Sequence, residues 1–236
     1  EGESTITWLE VTTGEGEDEV TLQYLLTFNA PASDLCGQLD LSGCKFLREV
    51  YVQNNTLTQV DVSESAIQQL DCSGNRLTEL NASGCGFLMN LVCGNNQLTA
   101  LELADCRRLA TVDCSGNQLT ALNLSATNAL LTLNCKNNRL STLTFNSTGY
   151  PIHVDCSGNQ LTELNTDTMQ FTRYLDCSDN QLTSLNVRNC SMLETFSCQG
   201  NKLKELNFSS SGKYRALSLT AIGGGYVSYA MEREED

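Results

Sequence analysis

Residues Leu70-Asp71-Cys72-Ser73-Gly74-Asn75-Arg76-Leu77-Thr78-Glu79-Leu80 decide how the chain folds, because the same frame returns along most of its length. The Asn of this frame recurs as Asn55, Asn75, Asn96, Asn117, Asn138, Asn159, Asn180 and Asn201, spaced by 20 residues once and then by 21 six times. With that Asn at position nine, position four reads Val50, Leu70, Leu91, Val112, Leu133, Val154, Leu175, Phe196 and Leu217. Position six is Val52, then Cys72, Cys93, Cys114, Cys135, Cys156, Cys177 and Cys198. Position eleven is Leu from Leu57 to Leu203, and position fourteen is apolar from Leu39 to Leu206. Positions four and six alternate with polar residues, the period of a short strand with one buried face. One such strand cannot bury that face alone, so successive rungs must stack into a parallel sheet. The second half of each unit, as in Leu119-Thr120-Ala121-Leu122-Asn123-Leu124, carries no helical stripe, which predicts an extended or 3₁₀ outer side.

Over about Asp34 to Ala221 these columns resemble the leucine-rich-repeat consensus LxxLxLxxNxL. The short unit, with its LTxL(D/N)xS run after the Asn, is similar to bacterial surface leucine-rich-repeat proteins. The likeness is internalin-like in general and closest in style to the Cys-bearing repeats of Bacteroidetes. The resemblance implies a leucine-rich-repeat solenoid of about nine 21-residue rungs, with the parallel β-sheet on its concave side. The Cys-rich flanking caps of animal extracellular repeats are absent, which favours a bacterial origin.

The chain has 236 residues, 14 Lys plus Arg against 28 Asp plus Glu, and a net charge of −14. That balance speaks against nucleic acid as a partner, which needs a cationic face. No apolar run approaches the roughly 18 residues of a transmembrane segment. The absence of an opening Met and of a signal-peptide apolar run leads us to expect a mature or trimmed chain.

Both solenoid ends need lids. Residues 1–33 hold two strand-like runs around the polar Gly14–Asp18, predicting an N-terminal capping β-hairpin with Trp8 in its core. The solenoid is expected over 34–221. At the far end Ile222 replaces the Asn and Gly223–Gly225 breaks the period. Residues 222–236 are read as a cap strand, Tyr226–Met231, followed by an acidic tail.

Twelve Cys in an exported protein would ordinarily suggest disulfides. The register predicts core filler instead, since seven occupy position six and a free Cys behaves as a small apolar residue. Cys44, Cys85, Cys106 and Cys190 fall at position nineteen, and Cys36 takes a Leu slot at position eleven, so all twelve are expected inside. No CxxC accompanies the lone His153, so no metal and no cofactor is expected.

Chemistry is sought on the concave face, at the polar positions beside four and six. Position five supplies Tyr51, Asp113, Asn134, Asp155 and Asp176; position three supplies His153 and Tyr174; position two supplies Met89 and Arg173. These nine residues are the expected binding set. Asp113, Asn134, Asp155 and Asp176 on successive rungs resemble oxygen ligands for calcium, but a hydrogen-bonded ladder is favoured. His153 with Asp155 resembles an acid/base pair, yet a flat sheet offers nothing to exclude water or raise a pKa. Asn81, Asn123 and Asn207 open N-x-S sequons that the repeat generates by itself, and Asp167-Thr168-Met169 matches a short O-glycosylation signal of Bacteroidetes surface proteins. The expected function is a non-enzymatic, exported binding module, secreted or held at the cell surface, by a lipid anchor for example. Its concave sheet is expected to recognise a protein partner in adhesion or host interaction. The alternatives are glycan capture through Tyr51 and Tyr174, and a spacer for another domain.

Overall fold

A computed structural model describes residues 5–13, 20–148, 150–208 and 216–218. The position-four columns form the main sheet as nine strands: β4 (Glu49–Tyr51), β6 (Gln69–Asp71), β8 (Asn90–Val92), β9 (Thr111–Asp113), β11 (Thr132–Asn134), β13 (His153–Asp155), β14 (Tyr174–Asp176), β16 (Thr195–Ser197) and β18 (Ala216–Ser218). They pair in parallel in that order, each position four opposite the next, as in Leu133 with Val154 and Val154 with Leu175. Ahead of them β1 (Thr5–Thr13) and β2 (Val20–Asn29) pair antiparallel, and β2 joins β4 in parallel, giving eleven strands in all. The Trp8 side chain, the Gly14–Asp18 turn and the expected cap over 222–236 lie outside the described residues.

The opposite face is extended, with no helix and no 3₁₀ turn among the described residues. It carries three short parallel sheets: β3 (Cys36–Asp40), β5 (Thr56–Asp61) and β7 (Glu79–Asn81); β10 (Ala121–Leu124) and β12 (Thr142–Phe145); β15 (Ser184–Val187) and β17 (Glu205–Phe208). Between the two faces runs one apolar core, in which Val50, Leu91, Val112, Leu133, Val154, Leu175 and Phe196 are fully buried.

The Asn column ties rung to rung. Asn96 Nδ2 donates to the carbonyls of Cys72 and Cys93, both at 3.0 Å, while its Oδ1 accepts the Leu77 N–H at 3.0 Å. Asn75, Asn117, Asn138, Asn159, Asn180 and Asn201 repeat the set, for example Asn117 with Cys93, Cys114 and Leu98. Asn55, at the entry, accepts instead from Ser33 and Leu35 and donates to Ala30. Each side chain therefore satisfies backbone groups of two rungs where the chain leaves the strand and no ladder partner remains.

Position eight shows a second, longer rhythm. It reads Asn54, Gly74, Asn95, Gly116, Asn137, Gly158, Asp179 and Gly200, all with positive φ. A Cβ on Gly74 would lie 2.5 Å from Asn54 Oδ1, and one on Gly158 2.5 Å from Asn137 Oδ1. The Asn side chain of one rung thus occupies the room that Gly leaves in the next.

All twelve cysteines are free. The seven at position six are buried, and of the position-nineteen group Cys85, Cys106 and Cys190 are buried too. Cys85 Sγ donates to the Val62 carbonyl at 3.1 Å and Cys106 Sγ to that of Ala82 at 3.6 Å. The expectation that every Cys lies inside fails at Cys36, which is exposed, and at Cys44, which is half-buried. The register between β3 and β5 shifts after Gly37, so Gly37 lies opposite the core Leu57 and Cys36 opposite the exposed Thr56. The O-glycosylation signal is corrected as well: Thr168 Oγ1 is shielded from solvent and Met169 is fully buried.

Candidate functional site, the concave face and its rim

The strand residues on either side of position four face outward, and the rungs bring them into rows. In the position-five row each Asp folds back on the Ser two residues later. Asp113 Oδ1 accepts from Ser115 N at 2.9 Å and Oγ at 2.7 Å, and Asp71, Asp155 and Asp176 do the same with Ser73, Ser157 and Ser178. These are Asx turns, which use a side-chain oxygen to close the turn that follows each strand. The outer oxygens remain: Asp113 Oδ2 accepts from Asn134 Nδ2 at 3.0 Å, and Asp155 Oδ2 lies 3.8 Å from Lys136 Nζ. In the calcium-like row the inner oxygens of the three Asp are thus held by serine, that of Asn134 by the Lys136 N–H, and one hydrogen bond, Asn134 to Asp113, crosses between rungs.

In the position-three row His153 lies flat on Tyr174, centroids 4.1 Å apart and planes 1° from parallel. Burial, and after it the Asp176 and Asp155 carboxylates, raises the Tyr174 phenol above its ordinary value. Arg173 reaches Glu194 on the next rung at 3.4 Å. The expected residues from Asp113 to Asp176 therefore form one continuous area over β9, β11, β13 and β14. Tyr51 does not join them. It sits on β4, its hydroxyl 3.2 Å from Gln69 Oε1, and burial followed by Glu49 and Asp71 raises its pKa. Six strand steps separate it from Tyr174, about 30 Å at the spacing of a sheet. The two tyrosines cannot clasp one sugar ring.

The fold also exposes a feature that the concave columns contain only in part, at position two. Nine large apolar side chains are exposed among the described residues, and all but Ile6 fall on two repeat positions. Phe46, Phe87, Tyr150, Phe171 and Met192 hold position twenty-one; Met89, Leu131 and Ile152 hold position two. Between them position one points inward, as the fully buried Leu88, Leu109 and Leu193 show. Both exposed positions precede the concave strand, so they line its rim. The backbone keeps them in step, Leu131 N donating to Ala110 O and Ile152 N to Leu131 O, each at 2.8 Å. Tyr150 meets Phe171 edge-on at 5.0 Å, and Arg108 lies 5.0 Å over the Phe87 ring. A monomer rarely leaves such a row uncovered without a reason. Position twenty-one reads Phe46, Ala66, Phe87, Arg108, Ala129, Tyr150, Phe171 and Met192, a column too mixed to stand out in the sequence.

No protein-family model and no curated protein matches the chain. Solved structures do. The functional domain of InlJ from Listeria monocytogenes, which includes a cysteine ladder, is 33% identical with a TM-score of 0.71, covering 74% of this chain and 39% of that one. YopM of Yersinia pestis, a leucine-rich effector protein, is 20% identical with a TM-score of 0.61, over 81% of this chain and 61% of its own. YopM of Yersinia enterocolitica is 25% identical with a TM-score of 0.53, over 74% of this chain and 42% of its own. The chain thus spans less than two thirds of each. The fold is that of the leucine-rich-repeat proteins, and a solenoid of about nine turns of about 21 residues fits the internalin-like members among them.

Proposed function

We propose that the chain is a non-enzymatic binding module that takes a protein partner across the concave sheet and its apolar rim. One observation carries this: the large exposed apolar residues are gathered on the two rim positions, beside a polar sheet rich in carboxylates. Aromatic anchors set against a polar surround are the usual makeup of an interface hot spot. Leucine-rich-repeat neighbours are commonly protein-interaction modules, in keeping with this reading. We assign the protein to the exported class, secreted or at the cell surface, by analogy with those neighbours. Of the expected residues, Asp113, Asn134, His153, Asp155, Arg173, Tyr174 and Asp176 form the centre of the site, Met89 belongs to the rim, and Tyr51 stands apart.

The test is capture of partners from mucus, matrix and serum proteins by the wild type, by a rim variant (Tyr150→Ser with Phe171→Ser) and by a concave variant (Asp155→Arg with Tyr174→Ala). Circular dichroism first checks that all three fold alike. A partner held by the wild type and lost by both variants supports the reading, and equal retention by all three overturns it. A second reading, glycan capture, is favoured by one feature only, the His153–Tyr174 stack beside Asp155 and Asp176. A glycan array on which only the Tyr174→Ala protein goes blank would select it.

A further inference from the structure

On the face opposite the concave sheet the ladder breaks twice among the described residues, at residues 100–102 between β7 and β10 and at residues 163–165 between β12 and β15. Strand β12 pairs with β10, and β15 pairs with β17, but residues 163–165 between them join neither sheet. At position sixteen Val62, Ala82, Leu103, Leu124 and Val187 are buried. In the rung of β12 that position holds the bulky Phe145, only partly buried, and in the next rung it holds Thr166. The Thr166 hydroxyl donates to the Asn186 carbonyl on the following rung.

A cleft of about 650 Å³ opens at the second of these breaks, within the size range of ligand sites. Its floor includes Leu143 and Leu164, which remain partly exposed where Leu122 and Leu185 in the same column are 2% exposed. Glu163 and Asp167 line it, and no Lys or Arg does. Thr168 also lines it, and its Oγ1 has no hydrogen-bond partner. Along one wall the edge of β12 is left unpaired, offering backbone donors and acceptors to any added strand.

We propose that this cleft is a second binding site, taking an extended, Lys- or Arg-bearing peptide segment as an added strand against β12. The open edge supplies main-chain pairing, Leu143 and Leu164 receive alternate apolar side chains, and Glu163 and Asp167 receive the cations between them. The proposal is independent of the concave reading, because the two surfaces lie on opposite faces of the solenoid.

The test uses the full chain and an amidated hexapeptide of alternating valine and lysine, followed by fluorescence anisotropy. Saturable binding is expected, and Glu163→Gln with Asp167→Asn weakens it about tenfold, the scale of two exposed ion pairs. Glu163→Lys with Asp167→Lys reverses the preference toward a valine–glutamate peptide. A lysine peptide N-methylated at alternate amides on its pairing side loses binding. The rim variant Phe171→Ser with Tyr150→Ser leaves the hexapeptide affinity unchanged, which separates this site from the concave one. The proposal is overturned by any of three results: no saturable binding to the folded protein, equal binding of the N-methylated peptide, or charge reversal without effect. Binding of neutral oligosaccharides in the cleft in place of the peptide would overturn it too.

Discussion

Asn96 accepts the Leu77 N–H at 3.0 Å, reaching back from its own rung to the one before. The same side chain gives its amide protons to Cys72 and Cys93. Truncation to alanine therefore orphans buried groups in two rungs at once. Asn96→Ala should cost about 3 kcal/mol, the upper range for buried polar groups left unpaired. Asn201→Ala, at a partly exposed position near the end of the described solenoid, should cost less. Urea unfolding of both, with unchanged slope, checks the order; an equal loss at the two sites would contradict it.

Asn137 and Gly158 form a second cross-rung pair. Gly158 has φ 63°, and a Cβ there would come 2.5 Å from Asn137 Oδ1. Gly158→Ala should destabilise by roughly 1–3 kcal/mol, from backbone strain plus the clash. Adding Asn137→Gly removes the opposing oxygen and should recover part of that loss. Additive losses in the double-mutant cycle would show that the two positions do not interact.

The cysteines should separate sharply by reactivity. In the native protein at pH 8, a thiol reagent should modify Cys36 quickly and Cys44 more slowly, because burial and then the Asp40 charge raise the Cys44 thiol. The position-six thiols should react only after unfolding, since burial hides them and removes the thiolate. Mass spectrometry of the labelled peptides reads this directly. Rapid labelling of Cys114 or Cys135 would sink the buried-ladder assignment.

Alkali should unfold the protein through the same thiols. Burial, then Asp113, pushes Cys114 up to about 12, and burial pushes Cys190 up to about 11. Below the unfolded value near 8.5 the thiols are protonated in both states and stability does not change with pH on their account. Above it the unfolded chain releases protons that the folded chain retains, and each thiol removes about 1.4 kcal/mol per pH unit until its folded value is passed. The urea midpoint should therefore hold between pH 7 and 8 and fall steeply from pH 9 toward 11. A flat midpoint across that upper window would refute the prediction.

Much of this was legible in the residue columns. The strand at positions three to five, the burial of position four and the place of the Cys and Asn columns follow from a fixed repeat length and a two-residue alternation. What escaped had causes that a column does not carry. Cys36 was misplaced because a register shift after Gly37 moves it by one residue, and one residue exchanges inside for outside. Position two reads as exposed, with Met89 in the expected set, but the position-twenty-one half of the rim escaped because Phe87 and Tyr150 are apolar and neighbour a buried position. The breaks in the outer ladder, at residues 100–102 and 163–165, fall in rungs whose columns look like their neighbours', so no column announces them.

The alternation at position eight bears on how such a chain can grow. Asn over Gly fits, whereas Asn over Asn would bring two side chains into one space and Gly over Gly would leave a gap. A gene duplication or deletion of one rung breaks that order at its junction, while one of two rungs restores it. The structural unit of this solenoid is accordingly a pair of turns, and inserting or removing two rungs should be tolerated better than inserting or removing one.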